Sequence, residues 1–333
     1  MNITSKYMGL HLNNPIIVGS SSLTGNVKSV EKCVKNGAGG IVLKSLYEEQ
    51  ILSDSDTLIN QDEMYLWYPE AFEYVNKLSK EEGIDQYLNL IKVCKKAVSV
   101  PIIASINCIS PEEWPKFSNE LENAGADALE LNITIFPDSD TLSCTEIGEQ
   151  HIKIIHAVCR NVKIPVAAKI SFYQSNIKMM ARKIAKAGAK GLVLFNRYYR
   201  PDIDIEKMVL TKEETLSVPE ESTLSLRWVG LLSGHIPCDL VGSTGIHNAS
   251  GIIKQLLAGA SAVQVCSALY KYGIYYLRTL IEELEIWMRR KGFSSIDEFR
   301  GLINQDSKNS ASWERIHFME KTRTSNIRPI GFD

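Results

Sequence analysis

The chain lacks paired cysteines: its seven, at positions 33, 94, 108, 144, 159, 238 and 266, are odd in number and scattered, with no CxxC spacing. That pattern offers neither a disulfide framework nor a zinc or iron–sulfur ligand set, and it points to a reducing cytoplasm. No apolar run approaches the roughly 18 residues of a spanning helix, and the opening MNITSKYMGLHLNN has no signal-peptide core, so no membrane attachment is expected. Neither sign of charge is in excess. The formal net charge is −2 over 333 residues, and no basic run is interleaved with aromatics, which excludes nucleic acid or an anionic membrane as the main partner. With 44% hydrophobic and 23% charged residues, the chain has material for one barrel of about 250 residues plus insertions.

A repeat is present. Pro15 precedes IIVGS and Gly37-Ala38 precedes GGIVLKS; Pro101 precedes IIASIN and Gly125-Ala126 precedes DALELN; Pro165 precedes VAAKIS and Gly188-Ala189 precedes KGLVLFN; Pro237 precedes CDLVGS and Gly259-Ala260 precedes SAVQVCS. The Pro-to-Gly separations are 22, 24, 23 and 22 residues. Proline, without an N–H, suits the first residue of a strand, and glycine past a helix end takes the left-handed conformation that stops it. Eight nearly continuous apolar runs separated by amphipathic helices specify an α/β fold, a (β/α)₈ TIM barrel. An open doubly wound sheet is the alternative, and it accounts less well for four matched pairs.

Apolar spacing predicts helices near 27–36, 86–98, 111–124, 146–161, 175–187, 222–233 and 248–258, and a long one over 268–291. Three long connections, 46–85, 133–146 and 197–221, all leave C-terminal strand ends, so loop insertions gather at the face where barrels keep their active sites. The expected division is a barrel over 1–291 and a short C-terminal extension, 292–333, packed on it, with a short helix near Ile296 to Ile303.

The run from Pro237 to Ser267 carries a small-residue turn (Gly242, Ser243, Thr244, Gly245) between strand and helix, and a second strand that ends at Cys266 and Ser267. Bare backbone N–H groups beside a helix N-terminus make a phosphate cradle, although the same turn is also ordinary turn chemistry. Around it the strands finish on Gly19 and Ser20, Lys44 and Ser45, Ser105 and Asn107, Asn132, Lys169 and Ser171, Asn196, Ser243 and Thr244, and Cys266 and Ser267. One such lysine is usually just emerging into solvent, one such asparagine usually ties off a loop, and Cys266 reads as a small apolar filler. Together, two cations, three amides and an anion cradle describe a pocket for a phosphate-bearing, electron-poor heterocycle, with the profile of flavin mononucleotide (FMN).

The runs NNPIIVGSS, GGIVLKS, ALELNIT, VAAKIS, SVPEESTLSLRWV, LVGSTGI…LLAGASAVQVCSALYKYG and KGFSSIDEFRG resemble, in order and over about 300 residues, the soluble class 1 dihydroorotate dehydrogenases. The resemblance implies an FMN oxidoreductase of pyrimidine biosynthesis that oxidises dihydroorotate to orotate. It implies that Gly19, Ser20, Lys44, Ser45, Asn132, Lys169, Asn196, Gly242 to Gly245, Cys266 and Ser267 line the flavin, with Lys169 at its N1/O2 edge; Asn107, in the same ring of strand ends, is expected to bind the cofactor beside them. Lys44, Asn132 and Asn196 would contact the substrate, a soluble electron acceptor would follow, and a homodimer is favoured.

The sequence also departs from that family. Where relatives carry a Cys or Ser base in an Asn-x-Ser-(Cys/Ser)-Pro loop, this chain reads Asn132-Ile133-Thr134-Ile135-Phe136-Pro137, and isoleucine accepts no proton. The substrate loop after strand 2 is replaced by a segment with Glu63, Tyr65, Trp67 and Tyr68, the phosphate turn carries Ser243 and Thr244 where the family has glycines, and Val218 stands where a glycine usually follows Ser217. Ser143, Cys144 and Thr145 lie about ten residues further along, and Cys144 is the best replacement base among them; its alternative is a passive loop residue. Another reduced heterocycle as substrate, a Schiff-base lyase or isomerase using Lys44 or Lys169, and a barrel kept only for binding remain the rival functions.

Overall fold

The computed structural model describes residues 1–47, 80–108, 114–133, 135, 143–197, 202–211 and 216–304. The four Gly-Ala pairs behave as helix stops: Gly37, Gly125, Gly188 and Gly259 have φ of 100°, 101°, 115° and 110°, a region only glycine enters without strain. Three of the four prolines stand just before a strand and lend a carbonyl to its neighbour: Pro15 accepts from Val263 N, Pro101 from Ile41 N and Pro165 from Leu129 N, at 2.8, 3.0 and 3.0 Å.

Eight parallel strands follow: β1 (Ile16–Val18), β2 (Gly40–Val42), β3 (Ile102–Cys108), β4 (Ala128–Ile133), β5 (Val166–Ile170), β6 (Gly191–Leu194), β7 (Asp239–Gly242) and β8 (Ala262–Val265). Each pairs with the next, and β8 returns to β1 through Val263↔Ile16, Gln264↔Ile17 and Val265↔Val18, which closes the barrel. The helices between them are α1 (Val27–Lys35), α2 (Lys80–Ala97), α3 (Trp114–Asn123), α4 (Cys144–Asn161), α5 (Ile177–Lys186), α6 (Ser222–Leu232) and α7 (Ala249–Ala258), followed by α8 (Ser267–Tyr272) and α9 (Tyr276–Lys291). The (β/α)₈ barrel expected from the repeat is therefore what the chain builds.

Some boundaries differ from the periodicity. Helix α2 begins at Lys80, inside the segment read as a loop to 85. The single helix expected over 268–291 is two, because Gly273 adopts φ 85° and ψ 158°, outside any helical region. A hairpin, Asp202–Asp204 with Val209–Thr211, stands in the connection after β6.

Strand alternation divides the hydrophobic residues in two. One set faces the helices. The other fills the barrel floor with one residue from each strand: Ile17, Val42, Ile103, Ala128, Ala167, Val193, Val241 and Ala262. From below, a hairpin of Ser5–Tyr7 and Leu10–Leu12 drives Tyr7, Met8 and Leu12 against that floor. Its two-residue turn has φ of 54° at Met8 and 82° at Gly9, the primed geometry that matches strand twist. Gly191 is required there, since a Cβ would lie 2.6 Å from Tyr7 Oη.

After α9, Trp287, Phe293 and Phe299 cluster with ring centroids 5.1 to 5.7 Å apart. Gly301 N and Ile303 N donate to Leu256 O and Leu257 O at 2.9 Å, so residues 292–304 are tied to the barrel wall. The expected helix near Ile296 is a single 3₁₀ turn, Ile296–Glu298, and the remainder of the expected extension, 305–333, lies outside the described residues.

Candidate active site

Two residues above the apolar floor, the same inward faces carry Ser105, Glu130, Lys169 and Gln264, and two residues further on β3 and β4 they carry Asn107 and Asn132. Register sets Asn107, Asn132 and Lys169 side by side on β3, β4 and β5. All three are at least 92% buried, as is Asn196 just past β6, and the Oδ1 of Asn132 has no hydrogen-bond partner among the described residues. A buried carbonyl oxygen left open in this way is costly unless a ligand supplies the donor.

Hydroxyls line the neighbouring strand ends. Ser20 Oγ and Ser45 Oγ are 3.0 Å apart, Ser45 N donates to Ser20 Oγ at 2.9 Å, and Ser45 Oγ lies 2.7 Å from Ser105 Oγ. Tyr87 of α2 holds that strand from outside, its hydroxyl donating to Ser105 O at 2.9 Å. Lys44 sits half-buried between Ser45 and the turn at Gly25. Gly19 packs beside Gln264 and Cys266, with space for a Cβ only in ordinary contact with both.

At the small-residue turn, Ser243 N donates to Leu194 O at 2.7 Å and Thr244 Oγ1 donates to Phe195 O at 3.1 Å. Thr244 and Gly245 both have positive φ, 73° and 75°, and a Cβ on Gly245 would fall 2.3 Å from Ser222 N, at the start of α6. Gly242 is constrained less, by a side chain: a Cβ there would meet Gln255 at 2.6 Å. Gly245 N donates to Ser217 Oγ at 3.2 Å, Ser217 N donates to Ser267 Oγ at 3.0 Å, and Ser217 Oγ lies 3.1 Å from His247 Nε2. Burial, opposed by the bond to Ser217, holds His247 below the usual imidazole range, so it is neutral near pH 7. Among the described residues the N–H groups of Thr244 and Ser267 have no protein acceptor. An anion within reach of either would satisfy it.

Sequence reasoning passed over Glu130, Gln264, Ser217, His247 and Tyr7. The first two were visible in principle: each stands two residues before a strand-end candidate, Asn132 or Cys266, and so shares its inward face. Ser217 and His247 carry no such signal, because their partnership spans a 30-residue separation.

Cys144 lies apart from this group. It is exposed on the first turn of α4, behind a capping box in which Ser143 Oγ accepts from Glu146 N and Glu146 Oε2 accepts from Ser143 N. Ile135 is partly buried against the core, while Glu63, Tyr65, Trp67 and Tyr68 lie outside the described residues. Burial pushes the thiols of Cys33, Cys94 and Cys159 up to about 11 and that of Cys238 to about 12, so these are unreactive at neutral pH.

The donors and acceptors present fit FMN: open N–H groups at a glycine turn for a phosphate, and an amide oxygen and an ammonium at the barrel mouth for a pyrimidine edge. Among the described residues no cluster of His, Cys, Asp and Glu could hold a metal, and no helix is long and apolar enough to cross a membrane.

The profile of the family described as dihydroorotate dehydrogenase matches residues 2–288. A protein of Thermoplasma volcanium named dihydroorotate dehydrogenase B (NAD(+)), catalytic subunit, is 29% identical over 317 residues, covering 90% of this chain and 98% of that one. Its namesake in Pyrococcus furiosus is 29% identical over 312 residues, covering 92% and 100%, and that of Methanocaldococcus jannaschii is 26% identical over 306 residues, covering 89% and 96%. The chain belongs to the dihydroorotate dehydrogenase family and is an oxidoreductase of that kind.

Proposed function

We propose that this barrel binds FMN at its C-terminal mouth and oxidises dihydroorotate to orotate. The observation that carries the reading is the buried row Asn107, Asn132 and Lys169 on three adjacent strands, with an amide oxygen of Asn132 left open. When bound, the flavin supplies a two-electron acceptor for the C–H bond that the substrate gives up. The turn Gly242 to Gly245, with Cys266 and Ser267, holds its phosphate. Gly19, Ser20, Ser45 and Asn107 line the ring, and Lys169 sets a positive charge at the edge that becomes electron-rich. Asn132, Asn196 and Lys44 orient the substrate's amide and carboxylate groups.

Loss of a hydride from one carbon must be matched by loss of a proton from its neighbour. Ile135 cannot take that proton; Cys144, the best replacement base in the sequence, stands exposed on the first turn of α4 and would have to reach the substrate to take it. Electrons leave to a soluble acceptor in the cytoplasm, and NAD(+), which the relatives' names carry, is the acceptor to test first. The hairpin Asp202–Thr211 exposes Ile203, Ile205, Met208 and Leu210, a surface that a second copy of the chain in a homodimer would cover. Purified protein should be yellow with one FMN per chain and should turn over dihydroorotate; a colourless protein that takes up no added FMN contradicts the reading.

A further inference from the structure

Inside the barrel, between the apolar floor and the mouth, three side chains from β4, β5 and β8 form a closed set. Lys169 Nζ donates to Gln264 Oε1 at 3.0 Å and lies 3.4 Å from Glu130 Oε1, while Gln264 Nε2 donates to Glu130 Oε2. The orientation of the Gln264 amide follows from its partners, since an ammonium only donates and a carboxylate only accepts. Glu130 is 1% exposed and Gln264 3%, with Val193, Val241 and Ala262 below them. Among the described residues Glu130 Oε1 has no hydrogen-bond partner, so it meets Lys169 by charge alone.

A barrel does not need a carboxylate at this depth. Branched apolar residues fill the equivalent interior of such folds, and a buried ion pair is weak evidence for stability. In a dry interior its electrostatic effect on a neighbour is large. Lys169 has three N–H donors, of which Gln264 takes one, which leaves two to bond a ligand, while its charge lies 3.4 Å from Glu130.

Building on the FMN reading above, we infer that Glu130 and Gln264 are positioning residues for Lys169, which set the flavin's reduction potential from below. Glu130 offsets part of the ammonium charge and so restrains the stabilisation of the reduced ring. Gln264 holds the ammonium off the carboxylate, keeping its charge directed at the mouth. The two residues therefore pull in opposite directions, which a purely structural role would not produce.

The test is the equilibrium between oxidised and reduced bound FMN, read spectrally against reference dyes in the intact protein. Glu130→Gln keeps the shape and removes the charge; it should move the ratio at least tenfold toward reduced flavin, which is 29.6 mV for a two-electron couple. Gln264→Leu lets Lys169 close on Glu130 and should move the ratio at least threefold toward oxidised flavin. If both variants bind FMN and shift in the same direction, or stay within twofold of the wild type, the inference is wrong. Should Glu130→Gln fail to fold, Glu130→Asp draws the carboxylate back by one methylene; a shift of twofold or more toward reduced flavin then supports the inference, and no shift overturns it. Failure of the wild type to bind FMN at all would instead overturn the FMN reading, so the two failures are distinguishable by colour.

Discussion

Lys169 and Glu130, on adjacent strands, bring an ammonium and a carboxylate to within 3.4 Å of each other inside the barrel, each with no more than 10% of its side chain exposed. Removing one partner leaves the other charge buried and unpaired, at a cost of about 3–5 kcal/mol. Lys169→Met should therefore unfold at markedly lower denaturant, and the double variant Lys169→Met/Glu130→Leu should recover most of that loss. Urea midpoints of the two variants check this. Equal midpoints would show that the pair is not an energetic unit.

At the phosphate turn the limiting contact is between Gly245 and the start of α6. A Cβ at residue 245 would lie 2.3 Å from Ser222 N in a backbone with φ 75°, so Gly245→Ala must move the turn. It should cost more than about 1 kcal/mol and weaken FMN retention at least tenfold, measured by ultrafiltration of the reconstituted protein.

The floor of the barrel offers a contrasting case. Tyr7 Oη is fully buried with no hydrogen-bond partner among the described residues, and burial, then the Glu130 charge, holds its phenol well above the usual range. Tyr7→Phe removes an unsatisfied group and should leave stability unchanged or raise it by up to about 1 kcal/mol. Thermal unfolding reads the sign; a large loss of stability would mean that the hydroxyl is satisfied in solution.

Two histidines make stability depend on pH in a defined direction. Burial lowers His151, whose Nδ1 lies 2.8 Å from Ile147 O, and lowers His247. Below about pH 6.5 the unfolded chain binds protons that the folded chain excludes, so their contribution is complete above that value and is lost as pH falls toward the folded values. Urea midpoints taken from about pH 8 to about pH 5 should fall, and His151→Gln should flatten the slope.

Cys144 can be separated from the other described thiols by exposure. A thiol reagent at neutral pH should modify Cys144 well before Cys33, Cys94, Cys159 or Cys238, and Cys144→Ser should remove one equivalent from the fast phase. If Cys144 takes the substrate proton, Cys144→Ala should lower kcat by about 10²–10⁴-fold while FMN binding is kept. Unchanged turnover would assign the proton to another group.

What the sequence made legible was what the backbone demands. Proline before a strand and glycine past a helix are requirements of single residues, and they survive into the structure as carbonyl acceptors at Pro15, Pro101 and Pro165 and as positive φ at four glycines. Lys169 and the asparagines were readable because polar residues interrupt apolar strands at one depth. Glu130 and Gln264 share that inward face, but their partnership was not readable, because it is a contact between residues 134 positions apart. The N-terminal hairpin escaped notice for a local reason: its turn uses Met8 at φ 54°, a residue with no turn signature. The break between α8 and α9 rests on the conformation of Gly273, which spacing alone does not disclose.

The most direct measurement is an anaerobic titration of the purified, FMN-loaded protein with dihydroorotate, followed by its visible spectrum. Loss of the yellow flavin absorbance at one equivalent of substrate, with orotate as product, is the predicted result. A flavin that stays oxidised under excess dihydroorotate would contradict the proposed activity.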